Sequence, residues 1–178
     1  EDTDISLETL SATFGETISE IVDGVTKFGA VESMSDAQKC ADLFRANACK
    51  IDGILVTLPN FGDEKGVADT LKLAGLNVPV LIQGYPDDPK QLMPSRRRDS
   101  FCGKISVCNN LVQAGIKFSL TSKHVSHPTS DSFKRDLQKF LGVCRVVNGL
   151  RGVRLGGALV GGASLKSAEF LLIIRAAG

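Results

Sequence analysis

The sequence lacks an excess of either charge and lacks any long apolar run. Its Lys and Arg residues number 21 and its Asp and Glu residues 20, which gives a formal net charge of +1. A duplex-binding module usually has a strongly basic balance, so nucleic-acid binding is disfavoured. No apolar run approaches the roughly 20 residues that span a bilayer, and no signal-peptide pattern opens the chain, so neither membrane insertion nor export is expected.

Paired cysteine motifs are also missing. No CxxC pair occurs among the five cysteines, which are Cys40, Cys49, Cys102, Cys108 and Cys144. An odd number of unpaired cysteines, several on apolar helical faces, predicts reduced thiols in a cytoplasmic protein. The chain has only two histidines, His124 and His127, so a zinc site is disfavoured and no metal ligand is assigned.

The glycine-rich stretch "RLGGALVGGAS" lacks the features of a nucleotide-binding loop. Its glycines do not give GxGxxG, and no Lys-Ser pair of a P-loop follows them. A nucleotide site is therefore disfavoured, although Gly162 and Ser164 are candidates to bind an anion or a sugar hydroxyl.

What the sequence does contain is an alternation of β-rich runs and helical periods. The β-rich runs cover residues 5–10, 53–58, 79–84, 117–121 and 153–160. Strands that alternate with helices predict a parallel sheet with right-handed crossovers and helices on both faces. Five such strands predict a doubly wound, flavodoxin-like (Rossmann-like) α/β fold that forms a single domain over residues 1–178.

Capping residues and apolar spacing locate the helices. The expected first residues are Ser35, Asp63, Asp99 or Ser100, and Ser130 or Asp131, and a last helix follows Ser164. In the helix after Asp99, the spacing of Phe101, Ile105, Cys108 and Val112 predicts that this face is buried.

The stretch "RRRDSFCGK", residues 96–104, follows a predicted strand, where ligands of such folds bind. One interpretation is an anion site, in which Arg97 and Arg98 supply bidentate donors next to a helix N-terminus at Asp99 and Ser100. The alternative is a capped helix whose arginines pair with the acids at positions 87 and 88.

Neighbouring loops add further candidates. Asn60 and Asp63 in "PNFGDE" lie at the start of a helix, where they would cap the helix or contact sugar hydroxyls. His124 follows a strand in "SKHVSHP" and is a candidate substrate contact. No catalytic residue is assigned.

Several stretches together resemble the L-fucose isomerase-related family, which comprises metal-dependent aldose–ketose isomerases. They are "DGILVTLPNFGDEKGVADTLKLAGLNVPVLIQGYPDDP", "RRRDSFCGKISVCNNL", "KFSLTSKHVSHP" and "FKRDLQKFLGVCRVVNGLRGVRLG". The runs "LPNFGDE" and "RRDSFCGK" are long enough to be specific. The resemblance implies an N-terminal α/β domain of an enzyme that acts in carbohydrate metabolism.

The resemblance also implies what other segments would supply. Family members hold Mn²⁺ with two acids and a histidine in later segments that nothing here matches. We therefore expect no cofactor in this chain and no catalysis by it alone. Its expected partners are the remaining isomerase domains or further copies of itself, with a small sugar or anion as ligand. The ends "LLIIRAAG" and "EDTDISLETLSATFGE" resemble the two sides of one family junction, which suggests a circular permutation.

Two other hypotheses fit the same sequence. One is an engineered or autonomous flavodoxin-like scaffold without activity. The other is a small-molecule or phosphate-binding module that uses the turn at residues 161–164.

Overall fold

The computed structural model describes residues 6–16, 19–20, 23, 34–94, 96–151, 154–155 and 158–159. In chain order these form α1 (Leu7–Phe14), α2 (Met34–Ala46), a 3₁₀ turn (Ala48–Lys50), β1 (Ile54–Leu58), α3 (Glu64–Ala74), β2 (Val80–Gly84), α4 (Ser100–Gln113), β3 (Ser119–Leu120), α5 (Asp131–Leu150), β4 (Arg154–Leu155) and β5 (Ala158–Leu159). No helix in these ranges is apolar over a length sufficient to cross a membrane.

The central element is a parallel sheet in the order β1–β2–β3. Ile54 pairs with Val80 at the start of β1, and Leu81 pairs with Ser119 at the shorter β3. Each crossover contains one helix, α3 or α4, as parallel neighbours require. The predicted parallel α/β arrangement is therefore confirmed, with three strands in the described part of this sheet.

Helices cover both faces of this sheet. On one face, α3 and α4 enclose an apolar cluster with β1 and β2, which contains Leu58, Ala68, Leu71, Val80, Ile82, Val107 and Leu111. On the other face, α5 packs Phe140 and Cys144 against Leu81. A Cβ at Gly53 would lie 2.4 Å from Cys144 Sγ, so α5 approaches the start of β1 where no side chain stands between them.

Local capping explains where most helices begin and end. The Asp63 carboxylate accepts from the Gly66 N–H at 3.0 Å, and Ser130 Oγ accepts from the Phe133 N–H at 3.3 Å. Gly75 ends α3 with φ +61°, a left-handed conformation that glycine adopts without a steric penalty. These capping predictions are confirmed, whereas Ser35 lies inside α2, which begins at Met34.

Two predicted strands are wrong. Over the described part of residues 5–10 the chain is helical, because Ser6 Oγ accepts from the Thr9 N–H at 3.2 Å and so caps α1. Residues 153–160 do not form one strand, because β4 pairs antiparallel with β5 and Leu155 faces Ala158. The predicted last helix lies outside the described residues.

The predicted buried face of α4 is also wrong, except at Cys108, which is half-buried and packs against the apolar cluster. Phe101, Ile105 and Val112 are 40%, 56% and 66% exposed. The buried face instead contains Gly103, Lys104, Val107 and Leu111, next to the buried Ser100. Both sets repeat with helical spacing, and the side that packs is decided by the loops that α4 meets.

Candidate ligand site at the carboxyl edge of the sheet

The carboxyl ends of β1, β2 and β3 meet at one edge of the sheet, which we call the carboxyl edge. Its loops cover residues 59–63, 85–99 and 121–130. The Tyr85 N–H donates to Leu58 O at 3.0 Å, and the Phe61 N–H donates to Arg98 O at 2.7 Å. The loops that follow β1 and β2 are thus hydrogen-bonded to each other.

Ser100 and Gly103 bring α4 against the loop after β1. The Ser100 side chain is fully buried and its hydroxyl donates to Pro59 O at 2.8 Å. A Cβ at Gly103 would lie 3.2 Å from Phe61 Cα and 3.4 Å from Asn60 O. This close backbone approach fixes Asn60, which is itself exposed, at the carboxyl edge.

Asp87 organises the backbone in front of α4. One oxygen of its carboxylate, Oδ1, accepts from the N–H groups of both Arg98 and Asp99 at 3.0 Å. Asp99 has φ +52°, which is uncommon for a residue other than glycine and is better tolerated by Asp than by most side chains. Its side chain does not cap α4 and instead accepts from Arg97 Nε at 2.6 Å.

The pairing that was predicted for the arginines is therefore wrong. Asp87 binds backbone N–H groups, and Asp88 accepts from the Lys90 N–H and the Gln91 side chain. The guanidinium of Arg98 instead lies over the Tyr85 ring, 4.9 Å from its centroid. Within the described residues, no acceptor is hydrogen-bonded to that guanidinium.

Lys104 connects α4 to the loop after β3. Its Nζ donates to Thr121 Oγ1 at 2.9 Å and to His124 O at 2.8 Å, although the residue is only 4% exposed. Burial lowers the pKa of Lys104 below its ordinary value of 10.5, and the nearby Cys108 and Asp136 partly offset this effect. The backbone of His124 is thus held in place while its ring stays at the surface, 5.4 Å from the Phe101 ring.

Gln83 and His127 complete the connections across this edge. The buried Gln83 amide donates to Ser126 O at 2.6 Å and to Gly84 O at 3.0 Å. Tyr85 Oη lies 3.0 Å from His127 Nε2, and Nδ1 of the same ring lies 2.7 Å from Thr129 Oγ1. The loop after β3 is therefore joined to β2 and to the loop after β2 by side-chain hydrogen bonds.

The structure brings most of the predicted site residues to one edge but not into one pocket. Arg97, Arg98, Asp99, Ser100, Asn60 and His124 lie there, and Asp63 acts as the cap of α3. Gly162 and Ser164 lie outside the described residues. The sequence interpretation missed Tyr85, Lys104 and Gln83, and their buried or ring contacts join residues that are far apart in the chain.

Metal-binding clusters are not present in the described ranges, where no three His, Cys, Asp or Glu side chains are grouped to hold an ion. The cysteines are all free thiols, and burial raises the pKa values of Cys40, Cys108 and Cys144. Cys40 and Cys144 are buried and Cys108 packs against the apolar cluster, which places these three thiols in the core.

One comparison with known proteins identifies relatives. Residues 6–151 match the family described as fucose/sulfoquinovose isomerase, N-terminal domain. No curated protein and no solved structure is significantly similar to the chain.

Proposed function

Since the chain belongs to the fucose/sulfoquinovose isomerase family through its N-terminal domain, we propose that it serves as the scaffold and substrate-mouth domain of an aldose–ketose isomerase. The family match over residues 6–151 is the observation that carries this proposal. The metal that polarises the sugar carbonyl would be held by other segments, since these residues offer no ligand cluster in the described ranges. This domain would then act in carbohydrate metabolism only as part of a larger assembly.

The carboxyl edge supports a role at the substrate mouth. Ligands of parallel α/β sheets bind beyond the carboxyl ends of the strands. Two buried side-chain oxygens that lack a partner in the described part of the chain, Glu64 Oε1 and Ser126 Oγ, belong to residues that flank this edge. Buried polar atoms normally have partners, so their position favours polar ligand chemistry here.

An exposed apolar stripe supports contact with another domain or subunit. Phe101, Ile105 and Val112 follow one another along the outer face of α4, and each is at least 40% exposed. Apolar side chains that cluster on a surface mark interaction sites more often than isolated ones do. This stripe is where we propose that a further isomerase domain, or a second copy of the chain, is bound.

Helices on both faces of the sheet, with α3 and α4 opposite α5, are typical of the doubly wound fold and support a flavodoxin-like arrangement. The circular permutation remains a proposal that rests on the order of the sequence stretches alone.

The decisive experiment combines this chain with separately produced metal-binding domains of a family member. With Mn²⁺ and L-fucose, we expect ketose formation only when both parts are present. Ile105→Glu should abolish this activity by blocking assembly, whereas Gln113→Glu, also exposed on α4 but away from the stripe, should leave it unchanged. A folded chain that neither associates nor supports turnover would contradict the proposal and favour an inactive scaffold.

A further inference from the structure

Arg98, Tyr85 and His127 form a cluster at the carboxyl edge that the family assignment does not explain. The Arg98 guanidinium lies 4.9 Å from the centroid of the Tyr85 ring, and the rings of Tyr85 and His127 meet edge to face at 5.0 Å. The three residues come from two loops, and hydrogen bonds of the backbone and of the side chains hold each of them in place.

The hydrogen bonds of His127 indicate which ring nitrogen carries the proton and whether the Tyr85 O–H can donate to a ligand. The Thr129 N–H, which can only donate, lies 3.3 Å from His127 Nδ1, and the Thr129 hydroxyl, 2.7 Å from the same nitrogen, can donate as well. Both contacts fit an unprotonated Nδ1 in the neutral ring. The ring proton is then on Nε2, which donates to Tyr85 Oη at 3.0 Å. Because the Tyr85 oxygen accepts this bond, its own O–H is left to donate to another molecule.

Arg98 is a positioned donor without a protein acceptor in the described ranges. Its backbone is fixed on both sides, because its N–H donates to Asp87 and its carbonyl accepts from the Phe61 N–H. Ring stacking orients the guanidinium and leaves its N–H groups unpaired. A planar fork of this kind matches a carboxylate in bidentate geometry.

The charges around this cluster favour a ligand with a single negative charge. The arginines at positions 96–98 are opposed by the acids at 87, 88 and 99, so no strong positive field would balance a dianion. The second carboxylate oxygen of Asp87, Oδ2, has no hydrogen bond in the described part of the chain and can accept from a hydroxyl. The Asp87 carboxylate is bound to the backbone N–H groups of Arg98 and Asp99, so an acceptor for a hydroxyl belongs to the same loop as the donors for a carboxylate.

We propose that Arg98, Tyr85 and Asp87 form a binding site for small hydroxy carboxylates of the sugar-acid class. Arg98 binds the carboxylate, the Tyr85 O–H donates to it, and Asp87 Oδ2 accepts from a ligand hydroxyl. His127 is a positioning residue that sets the direction of the Tyr85 O–H. Binding is a property of this chain and does not depend on the isomerase assembly.

The test is an amide and Arg Nε–H NMR titration of the 178-residue chain with sodium gluconate, acetate, sorbitol and inorganic phosphate. Saturable shifts at Tyr85, Arg98 and Asp99 are expected with gluconate, weaker binding with acetate, and none with sorbitol. Shifts that do not saturate with gluconate, or tighter binding of phosphate, would overturn the proposal. The nitrogen shifts of His127 should also show the Nε2–H tautomer, and an Nδ1–H tautomer would contradict the role of Tyr85.

Matched variants separate this site from general attraction of anions. Arg98→Gln should weaken gluconate binding by about tenfold or more, as expected for loss of a charge-assisted pair. Arg98→Lys, which keeps the charge but loses the fork, and Tyr85→Phe should each weaken it less. Arg96→Gln removes the same charge from an exposed position nearby and should leave binding unchanged. Equal losses of gluconate affinity in Arg96→Gln and Arg98→Gln would contradict the proposed site.

Discussion

At the carboxyl edge of the sheet the loops after neighbouring strands hydrogen-bond to one another, whereas the opposite edge, the amino edge, has a half-open cavity of about 480 Å³. The cavity is lined largely by apolar side chains and backbone, including Ile54, Leu76, Val78 and Ile116. Among the described residues that line it, the charged ones are Lys72 and Lys117. The hydrogen-bonded polar groups described above therefore lie at the carboxyl edge, and this cavity lies at the amino edge.

The two edges differ in what holds them together. Buried polar side chains such as Ser100, Gln83 and Lys104 fix the carboxyl edge, and each has a definite partner. At the amino edge, the exposed Arg151 side chain donates to Leu76 O and Asn77 O from the surface. The carboxyl edge is thus held by buried polar side chains, whereas the hydrogen bonds of Arg151 at the amino edge come from an exposed one.

The largest expected effect on stability is that of replacing Lys104 at the carboxyl edge, with Lys72 at the amino edge as the control. Lys104→Met keeps the apolar stem but leaves His124 O and Thr121 Oγ1 without the ammonium donor, so the free energy of unfolding should fall by about 2 kcal/mol. Lys72→Met, at the exposed amino edge, should change it by less than about 0.5 kcal/mol. Urea unfolding of both variants checks this, and equal effects would remove the contrast between the edges.

A pair of helical glycines tests the close approach at the carboxyl edge. Gly103→Ala places a methyl group 3.2 Å from Phe61 Cα, in a loop that hydrogen bonds prevent from moving away, so we expect about 1 kcal/mol of destabilisation. Gly142→Ala in α5 meets no atom within 4 Å and should stabilise by about 0.5–1 kcal/mol through helix propensity. Thermal unfolding of both proteins would show this difference. Stabilisation by both substitutions would mean that the loop at residues 59–61 moves to accommodate the methyl group at position 103.

The smallest expected effect is a dependence of stability on pH. Because burial lowers the pKa of Lys104 in the folded chain, the unfolded chain keeps that proton to higher pH. The Lys104 contribution to stability should therefore rise with pH between the lowered pKa and 10.5. The raised pKa values of Cys40, Cys108 and Cys144 act in the opposite direction above pH 9.0, since the unfolded thiols ionise first.

A difference measurement isolates the Lys104 contribution. The stability gap between the wild type and Lys104→Met should widen as the pH rises toward 10.5, while the thiols affect both proteins similarly. If this difference in the free energy of unfolding narrows over the same range, the folded surroundings would stabilise the Lys104 ammonium and raise its pKa, which would contradict the prediction.

The parallel sheet and several helix caps were predictable from the sequence, whereas the helix at the start of the chain and the buried face of α4 were not. The caps at Asp63 and Ser130 and the strands β1 and β2 depend on neighbouring residues, and the sequence located them. The start of the chain fitted both a strand and a helix, and the Ser6 cap decided for the helix. For α4, two apolar stripes had helical spacing, and only contact with residues 59–61 shows which one is buried.

The sequence indicated some of the residues at the carboxyl edge but not the contacts that join them. The rule that ligands bind beyond strand carboxyl ends led to Arg97, Arg98 and Asn60. The contact between Tyr85 and His127 joins residues that are 42 positions apart, so no local pattern signals it. A buried lysine such as Lys104 also looks like an ordinary surface residue until its partners are known.

Amide hydrogen exchange tests the central claim most directly, namely that the carboxyl edge is a preformed polar site. The N–H groups of Phe61, Tyr85, Arg98, Asp99 and Ser126 all have acceptors at 2.7–3.0 Å. We predict that they exchange nearly as slowly as the amides of β2, although they lie in loops. Exchange at the fast rate of exposed loops would contradict the account, because the site would then not be formed before a ligand binds.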